Sequence, residues 1–133
     1  MQLIDRVMAL GAAVRYAALA HGAHIVTRLR PDLKAGDGTT SSSETDRYEE
    51  LLVNPAILLL TTRRGEIDCG GLDHLIVGYG NFHQLILPVA DGHLSVAIER
   101  NADPRAFIAP LHRLVAEYGA SAPSAESEFR LSA

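Results

Sequence analysis

The 133-residue chain predicts an α+β domain, a five-stranded, mostly antiparallel sheet flanked by helices in the order α-β-β-α-β-β-β-α. Three observations carry this. Two extended runs meet at His21 and Gly22, three more follow the glycine pair Gly70-Gly71, and segments with helical signals stand before, between and after them.

Each element has its own local reason. Leu3, Ile4, Val7, Met8 and Leu10 recur near a 3.6-residue period, so a short helix opens the chain and ends around Gly11. In AVRYAALAHGAHIVTRLR the second half alternates Ile25, Thr27 and Leu29 against Val26, Arg28 and Arg30, which predicts a hairpin turning near Gly22, with Pro31 stopping the ladder. PDLKAGDGTTSSS, from Pro31 to Ser43, has almost nothing to bury and reads as a loop. Asp46 and Glu49 fit a capping box, with Ser43 as a competing cap, so a second helix starts here and runs toward Arg64, with Gly65 as its expected terminator. Pro55 lies inside it and predicts a kink or break near Asn54.

EIDCGG is a turn, followed by three strand segments, LDHLIVGYG, FHQLILPVA and HLSVAIER. The last two are joined by Asp91-Gly92, a signal for a type I′ hairpin. Leu94, Val96 and Ile98 face one way in the final strand, Ser95 and Glu99 the other. Asp103-Pro104 caps a last helix whose stripe is Phe107, Ile108, Leu111, Leu114, Val115 and Tyr118, interrupted by Pro110. Residues 1–118 form the expected domain, and GASAPSAESEFRLSA, 119–133, the expected frayed tail.

Composition narrows the function classes. A net charge of −4 argues against phosphate-backbone binding, so no nucleic acid partner is expected. The single Cys69 forms no internal disulfide, the N-terminus lacks a signal-peptide core, and no apolar run approaches the ~20 residues of a membrane span. A cytoplasmic protein without membrane insertion is the expectation.

The second helix poses the functional question. From Leu51 to Leu60, eight of ten residues are Leu, Val, Ile or Ala and none is charged. A helix crossing one sheet face buries a single stripe, so the remainder needs a cover, and a second copy of the chain is the economical one. Two alternatives stay open: the chain's own last strands, loop or tail cover it, or PAILLL is itself a buried strand.

Catalytic and ligand motifs are sparse. The six histidines form no HxxxH pair, and Cys69 no CxxC, so neither a metal nor a cofactor is expected. Acidic neighbours Glu66 and Asp68 disfavour a nucleophilic Cys69 and leave a structural or partly buried thiol. Gly78-Tyr79-Gly80 reads as a strand end with a bend, since no helix follows it. Tyr79 and Phe82 suit either the core or an apolar pocket on the sheet. Arg63 and Arg64 complement the dipole at the second helix's C-terminus.

The element order, with YEELLVNPAILLL and LDHLIVGYGNFHQLILPVADGHLSVAIERNADP, resembles the roadblock/LC7 family over about residues 3–118. The resemblance implies a profilin-like fold in which the second helix and third strand form a symmetric dimer with a continuous sheet. It implies a non-enzymatic scaffold or regulator of small Ras-like GTPases or their complexes, paired with itself or with a related roadblock-like chain. The interface positions it implies are Leu51, Leu52, Ile57, Leu58, Leu60 and Ile76. Two departures from the family pattern are a shorter first helix and a longer 31–43 loop. The alternative function, from a different class, is a small-ligand sensor of profilin-like or PAS-like architecture.

Overall fold

A computed structural model of the chain describes residues 2–34, 36 and 41–121. The elements are α1 (Leu3–Met8), β1 (Val14–His21), β2 (His24–Leu29), α2 (Ser43–Tyr48), a π-helical segment (Glu49–Val53), α3 (Asn54–Asp68), β3 (Leu75–Gly78), β4 (Phe82–Val89), β5 (Gly92–Glu99), a 3₁₀ turn (Pro104–Phe107) and α4 (Ile108–Ser121). The five strands form one sheet in the order β2-β1-β5-β4-β3, and every pairing is antiparallel. The expected fold class is the one found. Residues 122–133 of the predicted tail, and 35 and 37–40 of the predicted loop, lie outside the described residues.

Side-chain alternation divides the sheet into two unlike faces. On one, Ala17, Leu19, Leu85, Leu87, Leu94, Val96 and Ile98 meet Leu3, Ile4 and Val7 of α1 and Leu111 and Leu114 of α4 in the main core. The predicted stripes of the first and last helices are the ones that pack here, with Phe107, Ile108, Val115 and Tyr118 flanking. The opposite face carries Tyr16, Ala18, Ala20, Gln84, Ile86, His93, Ser95 and Ala97, mostly small or polar, and receives α2, the π segment and α3.

That middle helix departs from expectation at both ends and at its centre. Its N-cap is Ser42, whose Oγ accepts from Thr45 N–H at 3.1 Å, so neither Asp46 nor Ser43 is the cap. The reason is that SSSET offers several hydroxyls in succession, and Ser42 is the one in extended backbone (φ −71°, ψ 159°). Gly65 does not end it either. The helix continues to Asp68, and Gly70 and Gly71, at φ +78° and +92°, terminate it, with Gly71 N–H donating to Gly65 O at 3.0 Å. Gly65 is instead a contact point, since a Cβ there would stand 3.0 Å from the Gly71 carbonyl carbon.

Pro55 breaks the regular hydrogen-bond ladder without ending the helix. Asn54 N–H donates to Glu49 O in an i→i+5 bond, and Pro55 then falls in the first turn of α3, where an absent N–H costs little. Pro110 is accommodated by the same logic, inside the first turn of α4 after the 3₁₀ turn capped by Asp103.

The β4–β5 hairpin also differs from its predicted type. Val89 pairs with Gly92, so the two loop residues are Ala90 and Asp91, and only Asp91 takes a left-handed conformation (φ +60°). Type I′ would require positive φ at both loop residues. Gly92 belongs to β5, where any side chain would collide with the Ala20 carbonyl of β1.

Candidate functional site

The middle helix turns its polarity inside out. The positions it buries are Glu50, Asn54, Leu58 and Gly65, which include one large apolar side chain. Leu52, Leu59, Leu60 and Ile67 stand 51–75% exposed. At about 100° per residue these four share one outer sector with Ala56 and Arg63. Solvated leucines in a row are unusual on a monomeric surface, whereas single ones are ordinary.

The residues expected at an interface are distributed across this geometry. Leu52 and Leu60 lie on the outer stripe, Leu51 and Ile57 are half-buried on its flanks, and Leu58 is 9% exposed and packs into the chain. Ile76 is on the edge strand β3 at 37% exposure, but its partner in register is Leu85. It therefore sits on the α1/α4 face, while Leu75 and Val77 share the face with the middle helix. Leu59 and Ile67 are exposed members that the expectation lacks. β3 pairs with β4 on one side, and among the described residues no strand pairs with its other edge.

Beneath the helix lies a buried polar layer. Glu50, 1% exposed, accepts from Asn54 Nδ2 at 2.8 Å and lies 3.4 Å from His93 Nε2. Gln84 Nε2 donates to the hydroxyl of Ser95 on the neighbouring strand. Glu49 accepts from the Tyr79 hydroxyl at 3.0 Å. Burial first, then repulsion from Glu50 and Glu49, pushes Asp46 up to about 6. Burial also raises Glu49. The Tyr79 hydroxyl is pushed up to about 12 by burial and by its bond to Glu49. Burial raises Tyr16 strongly, and its hydroxyl has no hydrogen-bond partner.

None of this layer follows from the apolar pattern. Its trace in the sequence is Glu50, Asn54 and Leu58 at i, i+4 and i+8, one stripe with two polar members.

The π segment borders a cavity of about 490 Å³ between helix and sheet. Tyr79 and Phe82 both line it, their ring centroids 5.3 Å apart. Elsewhere, Cys69 is exposed rather than partly buried, because it follows the last helical residue, with Sγ 3.3 Å from Asp68 Oδ1. Asp73 Oδ2 lies 2.7 Å from His74 Nδ1 and 3.0 Å from His112 Nε2. Among the described residues no three or more His, Cys, Asp or Glu side chains are grouped to hold a metal. No helix of the described residues is long and apolar enough to cross a membrane.

These features define a small antiparallel α+β domain with helices on both faces of one sheet and an apolar helix face turned outward. No protein-family profile matches the chain, and no curated protein does. Among solved structures it is similar to the crystal structure of a roadblock/LC7 domain from Streptomyces avermitilis, at 12% identity and a TM-score of 0.64, over 87% of this chain and 91% of that one. The chain has the roadblock/LC7 fold.

Proposed function

We propose that the protein is a non-enzymatic homodimeric regulatory module. It pairs through the outer stripe of the middle helix and the open edge of β3, and presents the resulting two-fold platform to a small Ras-like GTPase or its complex. The observation that carries the pairing is the inverted helix, with Glu50 and Asn54 buried while Leu52, Leu59, Leu60 and Ile67 are exposed. Complete burial of one such side chain is worth about 1.5–3 kcal/mol. Four from each copy form a drive of the same order as the roughly 4–15 kcal/mol cost of association. The β3 edge supplies backbone donors and acceptors for a partner strand. The fold supports the GTPase element through its resemblance to roadblock/LC7 domains. A related chain in place of the second copy would use the same surface.

The test is molar mass by light scattering over a dilution series. The wild type is expected to be a dimer, and Leu60→Glu a folded monomer, its dissociation constant raised by about 100-fold or more. A wild type that stays monomeric at every concentration overturns the proposal. For the partner, a GTP-loaded small GTPase from the same cell is expected to co-purify with the wild type and not with Leu60→Glu.

A further inference from the structure

The cavity beside the π segment has a chemistry that self-association does not use. Its volume of about 490 Å³ falls within the roughly 300–1,000 Å³ of small-molecule sites. The acids on its wall are Asp46, Glu49 and Glu50, all from one side of the middle helix. The π segment helps bring them together: widening the helix by one residue lets the neighbouring Glu49 and Glu50 both turn toward the sheet.

The cation on this wall is itself held by an acid. Among the described lining residues Arg15 is the one cation, and its Nη1 sits 3.1 Å from both carboxylate oxygens of Glu99. Burial raises Asp46 and Glu49, and at Glu49 this outweighs the opposing effects of the Tyr79 hydroxyl and His93. Buried atoms nearby also lack hydrogen bonds: the hydroxyl of Tyr16, a lining residue, and Oδ1 of Asn54, which is wholly buried and holds Glu50 through Nδ2.

Four aromatic rings share the wall with aliphatic and small polar residues. Tyr79 and Phe82 form a tilted pair, and Tyr16 and Tyr48 also line the cavity. Carboxylates combined with aromatic faces suit one ligand chemistry above others. An inorganic cation is strongly hydrated and has no carbon surface to pack on the rings, and an anion would meet three acids. An alkylammonium ion satisfies both, through its charge on the carboxylates and its carbon substituents on the π faces.

We propose that this cavity is a binding site for a small organic cation of the alkylammonium class, held by Glu49 and Asp46 and packed against Tyr79 and Phe82. The site lies on the sheet-facing side of the helix, opposite the outer stripe, so it stands independently of dimerisation.

The experiment titrates the intact protein with choline and, separately, with its uncharged isostere 3,3-dimethylbutan-1-ol, following backbone amide shifts by NMR. Choline is expected to saturate with a dissociation constant below about 1 mM, shifting Glu49, Tyr79 and Phe82, while the isostere binds at least about tenfold more weakly. Glu49→Gln, which keeps the side chain's shape, should weaken choline by about tenfold, and Phe82→Leu by several-fold, each with the fold checked by circular dichroism. Leu60→Glu should bind choline as the wild type does, which separates this site from the proposed interface. Equal binding of choline and the isostere would reduce the cavity to an apolar pocket and overturn the proposal. So would the absence of saturable choline shifts, or a Glu49→Gln variant that binds choline normally.

Discussion

The two faces of the sheet are built from the same strands and have opposite chemistry. Along β4 and β5 the residues under α1 and α4 are Leu85, Leu87, Leu94, Val96 and Ile98, all buried. The residues one position away, under the middle helix, are Gln84, Ile86, His93, Ser95 and Ala97. The first face is a conventional core in which large side chains interlock. The second face takes small residues and a polar network. A helix resting on such a surface can spend Glu50 and Asn54 inward and keep its leucines outward. One face holds the domain together, and the other releases apolar surface for use.

The largest expected effect breaks the first face. Leu94→Ala removes a fully buried side chain from the main core and should cost about 2–5 kcal/mol, lowering the melting temperature by roughly 10 °C or more. Leu59→Ala, at the half-exposed position on the middle helix, should change the stability of the Leu60→Glu background by less than about 0.5 kcal/mol. Denaturant unfolding of both variants measures the contrast. Similar losses at the two sites would mean that Leu59 is part of the folding core and that the faces do not divide labour.

The polar layer should give an intermediate effect with a distinctive pattern. Glu50→Ala strands Asn54 Nδ2 and the buried His93, and should cost about 1–3 kcal/mol. Replacing Glu50 by Met and His93 by Leu together removes both ends of the pair and should recover the part of that loss due to His93, while Asn54 Nδ2 stays without its acceptor. A double-mutant cycle reads the coupling directly. Additive losses would show that Glu50 and His93 act separately, despite their 3.4 Å approach.

How much of this was legible in the sequence follows from the same division. The core face was readable because its signal is periodic: Leu94, Val96 and Ile98 alternate, and Leu111, Leu114, Val115 and Tyr118 recur at helical spacing. The hairpin at Gly22 was readable because positive φ favours glycine, which it adopts at +61°. The middle helix was readable as a helix with excess apolar surface. Which of its leucines face outward was not, because apolar residues surround its axis and the inward direction is set by two polar side chains. Glu50 faces inward toward His93 on the sheet and holds Asn54 beside it, and that pairing exists only once β5 stands opposite the helix. The π segment was legible only as a disturbance near Pro55. Its consequence, turning neighbouring glutamates to one side, depends on how the chain resolves that disturbance.

The smallest effect tests whether the second face bears a cost in stability. Asp46 is raised from 3.8 to about 6, mainly by burial and then by repulsion from Glu50 and Glu49, so the folded state holds its proton more tightly than the unfolded state. The stability this gives is fully present below the unfolded value near 3.8 and is lost as pH rises through about 6. Above that window the folded protein carries an ionised Asp46 at a disadvantage, and Asp46→Asn should relieve it. Because the carboxylate is partly solvated, the relief is small, about 1–3 °C in melting temperature at pH 7.5, shrinking toward zero at pH 4.5. Both proteins are measured at one concentration, since association also shifts the melting point. A pH-independent difference would assign the effect to shape rather than charge. The expected pattern would show that this acidic wall is kept at the expense of stability, as a face built for binding rather than for packing would be.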